Sequence, residues 1–187
     1  MARIRRATIA DAEAIGRVHV AAWRETYVDL FPQAALASLD AAEQGEAWRE
    51  TLQRLTVDPA GAAFLLCDDR GEATGYAVCG LQRIDRLAAL GYEGDFMALY
   101  LLRQAQRQGH GRALMGAMAA HLSGRGAGAA SAWAFRDNAR ACRFYEALGG
   151  EKTGIDGDWT VLGSTLPDVS YGWRDLRGLA SCARSEP

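Results

Sequence analysis

Residues 95–122 read DFMALYLLRQAQRQGHGRALMGAMAAHL and change character twice. Asp95 to Leu102 is a continuous apolar run of strand length. The polar, glycine-bearing QAQRQGHG follows at once, and an alanine- and leucine-rich helix then runs to Leu122. A glycine turn where a strand hands over to a helix leaves backbone N–H groups bare, and the first amides of a helix form an anion site. Two common phosphate motifs do not fit this turn. A dinucleotide fingerprint needs a third glycine where Leu114 stands, and a P-loop needs Gly-Lys-Ser/Thr. Taken alone, Gly109 and Gly111 are explained by a tight turn.

Working outward, strands alternate with helices. Arg3 to Thr8 alternates as a short strand, and Ile15, Val18, Ala22 and Trp23 recur at helical spacing from Asp11 to about Val28, before Pro32. Asp40 to Leu55 predicts a second helix with Ala47, Trp48, Leu52 and Leu55 on one face. Ala62–Asp68 and Gly75–Ile84, joined by the turn-rich Asp69-Arg70-Gly71-Glu72, predict a hairpin, and a loop continues through Leu90. Past the helix come a turn over Gly124–Gly128, a strand Ala130–Phe135, a helix Asn138–Leu148 closed by Gly149-Gly150, and a last strand Val169–Trp173. The order implies an α/β (α+β) domain on a mixed sheet. No linker or repeat divides it. Residues 1–176 are expected to form one domain, and 177–187 a loose tail.

Composition narrows the function classes. A chain of 187 residues, 49% hydrophobic and 24% charged, builds one packed core. Its formal charge of −2 supplies no general field for a nucleic-acid backbone or an anionic membrane. Of the 21 basic residues only Lys152 is a lysine, and the arginines are scattered rather than gathered into a face. Cys67, Cys79, Cys142 and Cys182 show no zinc spacing and read as buried free thiols. No leader and no apolar run of about 20 residues is evident, so a cytoplasmic protein is expected, with no metal, nucleic acid or membrane partner.

A second strand-to-helix step carries Asn138-Ala139-Arg140-Ala141-Cys142-Arg143-Phe144-Tyr145-Glu146-Ala147-Leu148-Gly149. With Gln106-x-x-Gly109-x-Gly111 before it, the chain resembles the GNAT superfamily of acyl-CoA-dependent N-acetyltransferases, whose signatures are Gln/Arg-x-x-Gly-x-Gly/Ala and Asn-x-x-Ala-x-x-Phe-Tyr-x-x-x-Gly. The resemblance extends over about residues 1–176, including VHVAAWRETY in the first helix and the closing YGWRDL. It implies a mostly antiparallel central sheet with one splayed strand pair and flanking helices. It also implies acetyl-CoA as co-substrate, a small-molecule or peptide amine as acceptor, and a homodimer as a common assembly.

Carried over position by position, the resemblance assigns the pantetheine amides to the backbone of Leu99, Tyr100 and Leu101, as an added strand would pair. It assigns the pyrophosphate to the loop of Arg107, Gln108, Gly109, His110, Gly111 and Arg112, helped by the helix dipole and by one or both arginines. His110 reads there as an amide donor rather than a base. Asn138 matches the residue that bonds the CoA arm, and it is also a good helix N-cap. Tyr145 lies two helical turns further on the same face and is implied as the general acid. A phenol at about 10 is protonated at pH 7 and can hand its proton to a departing thiolate near about 8.5.

The base stays open. Asp95 matches the position where several members hold a catalytic glutamate, Glu93 is the alternative two residues earlier, and ordered water is the third choice. A glutamate that other members place five residues before the asparagine is here Trp133. That departure leaves room for a non-catalytic acyl-CoA-binding module. Trp23 and Tyr27, four apart on the first helix, are implied as the acceptor wall, with His19 and Glu25 at its surface. Asp156, Asp158 and Trp159 fall in a segment read as a loop before the last strand.

Overall fold

In the computed structural model, which describes residues 2–182, chain reversals at turn-forming residues deliver seven strands to one sheet. The elements are β1 (Arg3–Arg6), α1 (Ala12–Thr26), α2 (Gln33–Ala37), α3 (Ala41–Val57), β2 (Ala62–Cys67), β3 (Ala73–Leu81) and α4 (Asp85–Ala89). They continue through β4 (Gly94–Leu101), α5 (His110–Gly124), β5 (Ala130–Phe135), α6 (Ala139–Ala147), β6 (Glu151–Val161), β7 (Ser164–Trp173) and α7 (Arg177–Ser181). Asp40 starts α3 by accepting the amides of Ala42 and Glu43, an N-cap worth about 1 kcal/mol. Pro32 opens α2, where its missing N–H costs nothing.

The sheet order is β1-β2-β3-β4-β5-β7-β6. All pairs are antiparallel except β4 with β5. Alternation along the strands separates two cores. Phe96, Ala130, Ala132, Val169, Tyr171 and Trp173 pack with Leu114, Met115, Met118 and Leu122 of α5 on one face. On the other, Leu65, Tyr76 and Val78 meet Ile15 and Val18 of α1 and Leu52 of α3. Burying such side chains stabilises by about 1.5–3 kcal/mol each.

Three expectations change. The segment predicted as a loop around Asp156, Asp158 and Trp159 is the edge strand β6, paired along β7, which itself begins at Ser164 rather than Val169. Its polar residues and its glycines at 154 and 157 hide the alternation, because an edge strand needs to bury little. The expected loop through Leu90 contains α4, whose Leu87 is buried. The expected tail starts instead as α7, anchored by buried Leu176 and Leu179 against the α5 side; residues 183–187 of that tail lie outside the described residues. Two smaller corrections concern burial. Ala47 faces solvent while Gly45 packs against α1, and Cys142 and Cys182 are half-buried, unlike Cys67 and Cys79. None of the described helices is long and apolar enough to cross a membrane.

Candidate active site

β4 and β5 run together for only three residues. Gly94, Asp95 and Phe96 pair with Ala130, Ser131 and Ala132, and beyond them the strands part. Met97 is an extra residue opposite the Val78–Cys79 step of β3, and such a bulge strengthens the local twist that turns β4 away. From Met97 to Leu101 one edge of β4 therefore lacks a strand partner. Leu99 and Leu101 send their side chains to the α5 core and Tyr100 to the α1 side, so the open edge itself consists of their backbone groups.

The glycine loop closes one end of this cleft. Gly109 caps α5 with φ +84°, a left-handed conformation that a Cβ would strain. Gly111 serves a different need: a Cβ there would stand 3.2 Å from the Phe144 ring, so glycine lets α5 and α6 approach. Arg107 itself holds φ +62°, which turns the loop. Gln106 braces it by donating to Leu101 O at 2.9 Å and accepting from Arg140 at 2.8 Å, and Gln108 donates to Gln104 O. The amides of His110, Gly111 and Arg112 open the helix and lack intrahelical acceptors, which leaves them for an anion. Arg112 points away from the loop, toward Cys182 Sγ at 3.8 Å.

Asn138 is the N-cap of α6, and its Oδ1 accepts from Ala141 N at 3.1 Å. Tyr145, one turn from the helix end, is buried among Phe144, Tyr171 and Trp173. Burial pushes its phenol well above the ordinary value, and nearby Tyr27, Cys142 and Asp95 add to the rise. The hydroxyl is thus protonated at neutral pH, while its proton is harder to give up than that of a free tyrosine.

Asp95 sits on the last paired stretch of β4, 3% exposed, and its Oδ2 accepts from Arg83 Nε at 3.1 Å and NH2 at 3.0 Å. Burial raises its carboxyl, and Arg83 opposes that rise by charge and hydrogen bonding. Glu93 is placed differently. Its Oε2 accepts from Gly128 N at 2.6 Å and holds the turn before β5. Trp133 is half-buried on β5, packed with the cluster of Leu87, Tyr92 and Ala129.

Trp23 and Tyr27 form a wall with Phe31, Phe135 and Trp159. Trp159 stacks on Phe135 at 5.3 Å and is the half-exposed outer face of that wall. The Trp23 Nε1 donor and the Asp168 Oδ1 acceptor are both buried without a partner among the described residues. Asp156 pairs with Arg136 at 2.9 Å. His19 and Glu25 are not surface acceptor groups. His19 is packed against Trp23 with Nδ1 2.7 Å from the Tyr76 hydroxyl, and Glu25 accepts from Arg103 N at 2.6 Å just past β4. Arg83, Phe135, Asp168 and the Tyr100 hydroxyl had no local signal in the sequence, because each reaches the site through cross-strand register. Among the described residues no three His, Cys, Asp or Glu side chains gather as a metal site.

A profile of the Acetyltransferase (GNAT) family matches residues 20–150. YuaI of Bacillus subtilis (strain 168), described as an uncharacterized N-acetyltransferase, is 32% identical over 179 residues, 96% of each chain. The fold is that of PaiA N-acetyltransferase from Thermoplasma acidophilum, solved with coenzyme A: TM-score 0.68, 16% identity, 90% of this chain and 98% of that one. YncA of Salmonella typhimurium, solved with acetyl-CoA, superposes with TM-score 0.66 at 22% identity over 94% of both chains. An open β4 edge and a glycine loop at the start of α5 thus stand on the framework these relatives share, and the chain belongs to the GNAT family of acetyltransferases.

Proposed function

We propose that this acetyltransferase moves an acetyl group from acetyl-CoA to a primary amine by direct attack in a ternary complex. The observation that carries the reading is the parting of β4 from β5 after Phe96, which leaves the backbone of Leu99, Tyr100 and Leu101 open between the amides of α5 and the cap of α6. These are the groups an acyl-pantetheine and its pyrophosphate require: strand-like amide partners and an anion site. Arg107, Gln108, Gly109, His110, Gly111 and Arg112 hold the phosphates chiefly through backbone N–H groups, and Asn138 holds the arm.

Asp95 receives the proton of the incoming ammonium, directly or through water, since an amine near about 10.4 cannot attack while charged. Its raised carboxyl makes it a stronger base than an exposed aspartate. Arg83 opposes that rise by charge and hydrogen bonding. Tyr145 donates to the departing thiolate, and the acceptor lies against Trp23 and the ring of Tyr27.

Thermal denaturation with acetyl-CoA tests the reading, with NADH and ATP as controls. At a hundredfold excess over Kd, binding adds about 2.7 kcal/mol, a rise of roughly 5–11 °C for a chain of this size. Thiol release over a panel of primary amines then reports turnover. A chain unmoved by millimolar acetyl-CoA would refute the proposal.

A further inference from the structure

Tyr27 touches both sides of the cleft. It ends α1, with its own N–H on Trp23 O at 2.9 Å, and is 6% exposed. Its hydroxyl lies 3.0 Å from that of Tyr100, on the β4 side. Its ring meets Phe135 edge-on at 5.4 Å, at the end of β5. One phenol thus stands where the two strands have moved apart.

A count of donors and acceptors shows what is left over. Tyr27 and Tyr100 share a single hydrogen bond, which uses one of their two protons. If Tyr27 donated, the spare proton would belong to Tyr100, enclosed by the rings of His19, Trp23 and Tyr76. Among the described residues none of these offers Tyr100 a hydrogen-bond acceptor, and the Tyr76 hydroxyl pairs with His19 Nδ1 instead. With Tyr100 donating instead, Tyr27 accepts from Tyr100, and its own O–H stays free between the two sides of the cleft. A buried donor left unpaired costs about 1–3 kcal/mol, so this arrangement calls for an acceptor oxygen.

We propose that the Tyr27 hydroxyl is a binding group for the acyl-CoA arm, donating to a carbonyl oxygen of the acyl-pantetheine while Tyr100 holds the phenol oxygen in place. Its ring remains part of the acceptor wall. The assignment rests on the acetyl-CoA reading and deepens it: the first helix recognises the cofactor as well as the amine. The oxygen of an amide or thioester fits this role and an ammonium group does not, because the group on offer is a donor.

Calorimetric titration of wild type and Tyr27→Phe with acetyl-CoA and with 3′,5′-ADP tests it. The phenylalanine keeps the ring packing with Trp23, Phe31 and Phe135 and removes only the hydroxyl. The expected result is a roughly 3- to 10-fold weaker Kd for acetyl-CoA, the worth of one neutral hydrogen bond, with the Kd for 3′,5′-ADP unchanged because that fragment lacks the arm. Equal affinity of both proteins for acetyl-CoA would overturn the inference and leave the acetyl-CoA reading intact. Equal weakening for both ligands would also overturn it, by showing a general disturbance of the fold. Failure of wild type to bind acetyl-CoA would instead defeat the reading on which it rests.

Discussion

The Asp95 carboxylate and the Arg83 guanidinium meet at 3.0 Å with opposite surroundings: the carboxylate side chain is 4% exposed and the guanidinium 62%. The pair is one-sided. Desolvation acts on Asp95, whereas Arg83 keeps most of its water and supplies the charge that opposes the rise of the carboxyl. A half-solvated partner of this kind tunes a base without the full cost of a buried ion pair.

Arg83→Gln should therefore raise the Asp95 pKa further. If the base must be ionised, activity then needs a higher pH: the acid limb of the kcat/KM profile moves upward, with activity at the plateau little changed. Asp95→Asn removes that limb and raises the apparent pH optimum, since unassisted attack waits for free amine. Profiles of wild type and both variants between pH 5 and 10 decide this. Limbs that coincide in all three would take Asp95 out of the reaction.

Tyr145→Phe should lower kcat by roughly 10²- to 10⁴-fold, the usual worth of a general acid. Acetyl-CoA affinity should hold, since the ring stays packed on Tyr171 and Trp173. Single-turnover thiol release at saturating acetyl-CoA measures it, and an unchanged rate would return Tyr145 to a packing role.

Gly109→Ala places a Cβ at φ +84°, a strain of about 1–2 kcal/mol, although no atom lies within 4 Å of it. Stability should fall by that amount, and the loop should release its amides from the anion geometry. Gly109→Glu adds a negative charge beside the phosphates and should abolish binding. Urea unfolding and calorimetry with acetyl-CoA separate the two effects. Tight binding by the glutamate variant would contradict the assignment of this loop.

His19 gives the fold a pH dependence of its own. Burial lowers its pKa to about 4 from an ordinary 6.5, so the unfolded chain takes up a proton between these values that the folded chain refuses. Its contribution to stability is intact above about pH 6.5 and is lost as pH falls toward 4. Linkage puts the loss from this group at about 2 kcal/mol between pH 7.5 and 5. Urea midpoints at both pH values, compared with those of His19→Gln, measure it: the variant should show the smaller difference.

The catalytic half of the fold was legible because its signals are local. An apolar strand, a glycine loop and a helix follow one another within Asp95–Leu122, and Asn138 caps α6 by bonding an amide three residues ahead, so neighbouring residues suffice to specify each. β6 was not legible. Its residues tolerate solvent on both faces, and only the Glu151–Val161 register with β7 makes it a strand. The same holds for Glu93, which shares the parity of Asp95 in sequence yet is drawn to Gly128 N in the turn before β5.

By itself the sequence determined the strand, glycine loop and helix of Asp95–Leu122, the start of α6 and the family, since periodicity, turn chemistry and helix caps act over a few residues. Only the tertiary structure decided that Arg83 reaches Asp95, that the hydroxyls of Tyr27 and Tyr100 meet, and that Phe135 and Trp159 extend the acceptor wall. Those relationships depend on sheet order and on the bulge at Met97, which place side chains distant in sequence within one or two hydrogen-bond lengths and leave no trace in the spacing of residues along the chain.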